Sequence, residues 1–272
     1  MTLADGSVLR NPTVAAPRSA LPSALRAAEP ERAMSAPLES WKVLPHGPLT
    51  AVDDNVWTVT GTIRMPIGDF ERRMTVVRLR DGGLVVYSAI ALDEPEMARI
   101  DGFGRVAWLV IPGDDHRLDA KIWLHRYPTT WVAAPAGARE KALEVVPVES
   151  TSPDFGDPDV QWVTVPGTRG HEAALVVRGA QGTTLVVNDL IANIRHEHGL
   201  SGWLLRLMGF AGDEPNIPGV RRLAMVKDCN ALADQLLEWS EIGDLRRILV
   251  SHGEPIVDDP RGELRRLAQS LR

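Results

Sequence analysis

Cysteine is almost missing from this chain: Cys229 stands alone among 272 residues. No disulfide can form within the chain and no thiolate-rich metal site can be built, so any metal must be held by His, Asp and Glu. No apolar run reaches the roughly 18 residues of a membrane-spanning helix, and a membrane partner is not expected. Basic tracts are also lacking. The net charge is −6, which argues against a nucleic-acid partner. The first 40 residues contain no aromatic side chain and are rich in Ala, Pro and Ser. Such a segment buries little apolar surface, and 1–40 is expected to be a disordered arm. It lacks the apolar core of a secretory signal, so a cytoplasmic location is expected. Translation starting at Met34 is an alternative reading of the same segment.

What is present suits a globular domain over 41–272, with 44% hydrophobic and 24% charged residues. Trp41 to Leu44 and Val56 to Ile63 have strand composition, with Asp53-Asp54-Asn55 as the turn between them. Phe70 to Arg80 and Leu84 to Ser88 form a predicted hairpin across Asp81-Gly82-Gly83. Asp93 caps a short helix with Pro95 in its first turn. An apolar, β-branched run at 106–111 reads as a buried strand, stopped by Pro112-Gly113 and followed by a helix over 116–127. Further strands are expected at 131–134, 143–146, 160–165, 173–177, 183–187 and 247–250. Helices are expected at 135–141, at 228–239 and from Asp259-Pro260 to the end. The order of elements predicts a mixed-sheet α/β protein with two similar halves and helices outside.

The stretch around 106–116 organises the functional reading. Asp114, Asp115 and His116 directly follow a buried strand, where α/β proteins place ligands. They form either a solvated acidic turn capping the next helix or the nucleus of a metal site. Three other metal-capable residues flank strand ends: His171 before 173–177, Asp189 after 183–187, and His252 after 247–250. Asp119, one helical turn beyond His116, is a candidate to support a ligand, and Asp114 is read as solvated or capping. His196 and His198 form a His-x-His pair in a polar loop. Trp203 to Phe210, with Ile217, reads as a lid, a dimer contact or, more simply, core. His46 and His125 read as surface residues, and Cys229 as partly buried.

The order and spacing of these features resemble the metallo-β-lactamase fold superfamily over about 41–272. The matching features are Thr58-x-x-Gly61, Gly82-Gly83, the 106–111 strand, Asp115-His116, Tyr127-Pro128, His171, Asp189 and Ser251-His252-Gly253. The family's His-x-His-x-Asp-His motif falls on Ile111 to His116, with Ile111 and Gly113 in place of its first two histidines. The resemblance implies a four-layer αββα sandwich of two mixed β-sheets with helices on the outer faces. It implies a depleted first metal site that keeps His171, and a second site of Asp115, His116, Asp189 and His252, with Asp189 bridging. One divalent ion is expected there, zinc first, with iron or manganese as alternatives. Asp189 and His171 are the candidate catalytic residues, His171 as a general base. The implied activity is metal-dependent hydrolysis of a small ester, lactone, thioester or phosphoester, with a small-molecule substrate as the partner and a homodimer left open. The alternative is a non-catalytic scaffold or pseudoenzyme. A di-iron redox centre is disfavoured by the depleted first site.

Overall fold

The computed structural model describes residues 36–65, 68–194 and 212–272. Two sheets and a short strand pair carry the fold. The first sheet runs in chain order: β1 (Thr50–Ala51), β2 (Val56–Met65), β3 (Gly68–Arg78), β4 (Gly83–Tyr87), β5 (Arg105–Val110) and β6 (Trp131–Ala133). β1 to β4 pair antiparallel. β4, β5 and β6 are parallel, joined through helices α1 (Glu94–Phe103) and α2 (Ala120–Arg126). Helix α3 (Arg139–Leu143) follows β6. The second sheet is built from β7 (Val160–Thr164), β8 (Ala173–Gly179), β9 (Gly182–Val186) and β11 (Leu245–Leu249), in the order β11-β9-β8-β7. β10 (Ala192–Asn193) pairs in parallel with β12 (His252–Gly253). Among the described residues the remaining helices are α4 (Gly219–Met225), α5 (Cys229–Ser240) and α6 (Pro260–Leu271).

Period-two alternation sorts the strand side chains into three layers of core. Val85, Tyr87, Leu175, Val177, Val186 and Leu249 meet between the sheets. Leu84 and Val86 turn outward with Leu109 to pack under Met97, Ile100 and Trp123 of α1 and α2. Leu185 and Ile248 turn outward to pack under Leu232, Leu236, Leu264 and Leu267 of α5 and α6. The architecture is therefore the αββα sandwich expected from the sequence. At Ala107 the β4–β5 register shifts by one residue. This bulge sends both Val106 and Leu109 to the helix-side core, while Trp108 and Val110 face the inter-sheet core.

Local signals work as the residue types demand. Asp93 caps α1, accepting from the Glu96 amide at 3.1 Å. Gly82, with φ 83°, makes the predicted β3–β4 turn, where the Gly83 amide donates to Asp81 at 2.8 Å. Asp259 caps α6, with Pro260 in its first turn.

Several expectations need correction. Residues 41–44 are irregular rather than a strand, because Trp41 leaves the sheet direction to donate from Nε1 to the Leu92 carbonyl and to lie against Trp123. The antiparallel partner of β2 before the 53–55 turn is Thr50–Ala51 instead. The 143–146 strand is absent. Those residues end α3 and turn, and Val146 reaches the helix-side core from that turn. A four-residue apolar run does not by itself distinguish the two. Helix α3 starts four residues later than expected, and α2 starts at Ala120, after turns through 116–119. The arm expected over 1–40 falls mostly on residues outside those described. Within 36–40, the Leu38 amide donates to the Leu118 carbonyl at 2.8 Å. Among the described residues, no helix is long and apolar enough to cross a membrane.

At the end of the sandwich where β9 and β11 begin, a buried ion pair joins the two sheets. Asp53, in the turn before β2, accepts from Arg247 of β11 at 3.1 Å and from the Asp54 and Gln181 amides. Burial pushes the Asp53 carboxyl up, but these hydrogen bonds outweigh it and hold it below its ordinary value. A depressed carboxyl stabilises the fold above its unfolded-state pKa, and that contribution is lost as the pH falls through the folded value. Asp53→Asn is expected to cost about 3–5 kcal/mol at neutral pH by leaving Arg247 buried and unpaired. Urea midpoints should show the gap from the wild type shrinking below about pH 4; a gap that is constant with pH would contradict this role.

Candidate metal centre

The parallel strands β4, β5, β9 and β11 end at one edge of the sandwich, and each is followed within a few residues by a polar side chain: Ser88, His116, Asp189 and His252. β-Branched runs hold the strands in the core, and the chain leaves the sheets where the polar residues begin, so side chains from both halves converge there. Among the described residues, one group of three metal-capable side chains meets: His116, Asp189 and His252, whose donor atoms lie within 4.8 Å of one another.

Asp189 is the hub. Its Oδ1 lies 3.1 Å from His116 Nε2 and 2.8 Å from His252 Nε2. Both rings are held from behind. His252 Nδ1 donates to the Glu71 carbonyl at 2.7 Å, and His116 Nδ1 lies 2.6 Å from Ser88 Oγ. The Phe70 ring packs against His252 at 4.5 Å between centroids. Asp189 is almost fully buried. Burial pushes its carboxyl up, but the charge and hydrogen bond of His116, and then those of His252, outweigh that cost and hold it well below the carboxylate range. Nearby, burial and then the charges of Glu172 and Asp189 push the Tyr87 phenol well above its ordinary value. Tyr87 thus keeps its proton and donates to the Ala173 carbonyl at 2.7 Å.

Two adjacent arginines of β3 brace this edge. Their side chains leave opposite faces of the strand. Arg72 pairs with the buried Asp119, which also accepts from the Ala91 amide at 3.0 Å. Arg73 donates to the carbonyls of Val250 and Gly253 at 3.0 and 2.7 Å, fixing the turn that carries His252. Gly253, with φ 93°, has no room for a side chain: a Cβ would stand 2.1 Å from the Asn193 carbonyl oxygen.

The structure thus brings together His116, Asp189 and His252 from the sequence reading. Asp115 is exposed and is not a member of the trio. Asp114, expected to be solvated or capping, instead faces His171 Nδ1 at 3.0 Å, with each side chain about one-third exposed. Gly137 lies so close to the 169–171 turn that a Cβ there would meet His171 Cδ2 at 2.8 Å, so the His171 ring is seated against bare backbone. Asp119 neither caps α2 nor touches the trio; its partner is Arg72. Ile111 and Gly113 are both buried. A Cβ on Gly113 would stand 2.8 Å from Asn188 Nδ2, and Asn188 in turn accepts from Ser251 at 3.0 Å. His125 is exposed, while His46 is half-buried between the Gly47 carbonyl and the Asp93 amide. His196, His198 and the 203–210 segment lie outside the described residues.

Sequence reasoning missed Ser88, Arg73 and the Glu71 carbonyl. Ser88 carried a usable signal, since it follows an apolar strand as His116 and Asp189 do. The Glu71 carbonyl carried none.

Comparison with solved structures decides the fold. The metallo-β-lactamase FIM-1 from Pseudomonas aeruginosa, in its mono-zinc form, superposes with a TM-score of 0.55 at 16% identity, covering 84% of this chain and 97% of that one. The fold is that of the metallo-β-lactamases. The metallo-β-lactamase DIM-1 agrees, with a TM-score of 0.57 at 14% identity over 85% of this chain and 100% of its own. So does the enzyme from Hirschia baltica, with a TM-score of 0.54 at 12% identity over 82% and 98%. No protein-family model matches the chain, and no curated protein does. At this identity the likeness concerns the metallo-β-lactamase fold itself, and function has to be argued from the site.

Proposed function

We propose that this protein is a metal-dependent hydrolase in which His116, Asp189 and His252 hold a single divalent ion, zinc by preference. The observation that carries the reading is the convergence of His116 Nε2, His252 Nε2 and Asp189 Oδ1 on one another. Because His252 Nδ1 donates to a carbonyl, a neutral His252 turns its Nε2 lone pair toward a carboxylate oxygen, and a cation satisfies such converging lone pairs. Two imidazoles and one carboxylate form a donor set suited to zinc, with manganese and iron as alternatives. When bound, such an ion polarises a substrate carbonyl or phosphoryl group and lowers the pKa of water.

The chain's own residues supply the rest. Asp189, held ionised, is a donor and fixes both imidazoles. Asp115, one residue from His116 in the sequence, is the candidate fourth donor, although it stands outside the trio. His171, with Nδ1 on the Asp114 carboxylate, offers Nε2 as a general base, in the arrangement that orients a ring. The crowding of Gly113 by Asn188 and the core position of Ile111 support one ion rather than two. Small esters, lactones, thioesters and phosphoesters are the substrate classes that fit this chemistry.

Tag-free protein loaded with zinc should contain about one ion per chain, and hydrolysis of a chromogenic ester or phosphoester panel should disappear on chelation and in His252→Ala. Turnover indifferent to both, or no metal uptake, contradicts the reading. The emptied positions 111 and 113 favour a second reading, a non-catalytic scaffold. That reading predicts a bound ion with no turnover anywhere in the panel.

A further inference from the structure

Ser88 is a buried, non-glycine residue with φ 57°, in the left-handed region that a side chain normally avoids. Its backbone is anchored there, the amide donating to the Val110 carbonyl at 3.1 Å. Glycine would occupy this position without the Cβ penalty. Serine brings a hydroxyl 2.6 Å from His116 Nδ1. Strain of this kind persists where the surroundings over-determine it, commonly at functional sites.

The partner chemistry at the two histidines differs. His252 Nδ1 faces a carbonyl, which only accepts, so its proton is pinned on Nδ1. His116 Nδ1 faces a hydroxyl, which can donate or accept. With no cation present, Asp189 Oδ1 at 3.1 Å calls for the proton on His116 Nε2, and the Ser88 hydroxyl then donates to Nδ1. With a cation at Nε2 the proton must sit on Nδ1, and the same hydroxyl rotates to accept it. We infer that Ser88 is a positioning residue for His116, held in a left-handed backbone so that its hydroxyl serves either tautomer of the ring. It acts through His116 and touches no reacting atom. Its affinity arm rests on the metal-site reading above; its hydrogen-bond arm does not.

The test compares Ser88→Gly and Ser88→Ala with the wild type in three measurements: zinc affinity by chelator competition, melting temperature, and ring ¹⁵N shifts of the metal-free proteins at a pH where the imidazoles are neutral. Ser88→Gly is expected to melt within about 5 °C of the wild type, because glycine suits the backbone, while zinc affinity falls about 10–100-fold. Ser88→Ala keeps the strain and loses the hydroxyl, so it should show the same affinity loss and melt lower than Ser88→Gly. Metal-free wild type should show His116 as the Nε2–H tautomer set by Asp189, with the Nδ1 shift of a hydrogen-bonded acceptor, and both variants should keep the tautomer and lose that hydrogen-bond shift. Unchanged affinity in Ser88→Gly overturns the inference, as does collapse of its fold. If the wild type takes up no zinc, the metal-site reading fails and the ¹⁵N shifts decide for Ser88: an identical His116 Nδ1 shift in all three proteins overturns it.

Discussion

Asp189→Asn is expected to lower zinc affinity by more than ~100-fold, a larger loss than removing a hydrogen bond behind a ligand would cause. Asparagine has the same shape, so the fold should survive and the loss will be one of charge and donor strength. Asp189 is the hub atom for both imidazoles, with His116 Nε2 at 3.1 Å and His252 Nε2 at 2.8 Å on the same carboxylate oxygen. The two histidines hold it well below the ordinary carboxylate range against the cost of burial, so it presents a full negative charge to an ion. An amide oxygen presents a dipole, and its nitrogen can turn toward the rings as a donor. Competition with a chromophoric zinc chelator, with circular dichroism as the fold control, checks this. Wild-type affinity in a folded Asp189→Asn protein would mean that any zinc bound sits elsewhere.

A stability effect as large as that at Asp53 is expected from the Arg72–Asp119 pair. Both side chains are buried, at 8% and 0% exposure, and Asp119 also holds the Ala91 amide. Removing one partner leaves the other charged and stranded away from water, at a cost of about 3–5 kcal/mol. For a chain of this size that corresponds to a fall of about 6–20 °C in melting temperature for Asp119→Asn or Arg72→Met alone. Replacing both with apolar residues of similar volume removes the two desolvation costs together, so Arg72→Met with Asp119→Leu should melt closer to the wild type than either single variant. Additive losses in a thermal-melt cycle would show that the pair does not act as a unit. Asp119 lies three residues beyond His116, so the single variants should also loosen the loop that carries that ring.

The strands of the sandwich were legible because β-branched runs alternate between two apolar faces and stop at Gly, Pro or acidic turns. The same stops drew attention to His116, Asp189 and His252, since a polar residue directly after a buried strand stands at the open edge of a sheet. Which of two adjacent acids would turn toward which histidine was not legible. Asp114 and Asp115 share one turn, and tertiary packing around Gly137 and the 169–171 turn places Asp114 against His171. Asp119 read as a possible support for the site because helical spacing puts it near His116. It serves Arg72 instead, forty-seven residues earlier in the chain and on another strand. The bulge at Ala107 leaves no trace in composition, since Val106, Ala107 and Trp108 are all acceptable strand residues on either face. The neighbours of Trp41 suggest a strand, while its indole proton points elsewhere: a half-buried Trp seeks an acceptor, and the Leu92 carbonyl lies off the sheet.

The most direct test of the central claim is an anomalous-scattering map from crystals of tag-free protein soaked in zinc. One peak among His116 Nε2, Asp189 Oδ1 and His252 Nε2, and none beside Gly113, is the predicted result. No peak at the trio, or a peak at Asp114 and His171 in its place, would contradict it.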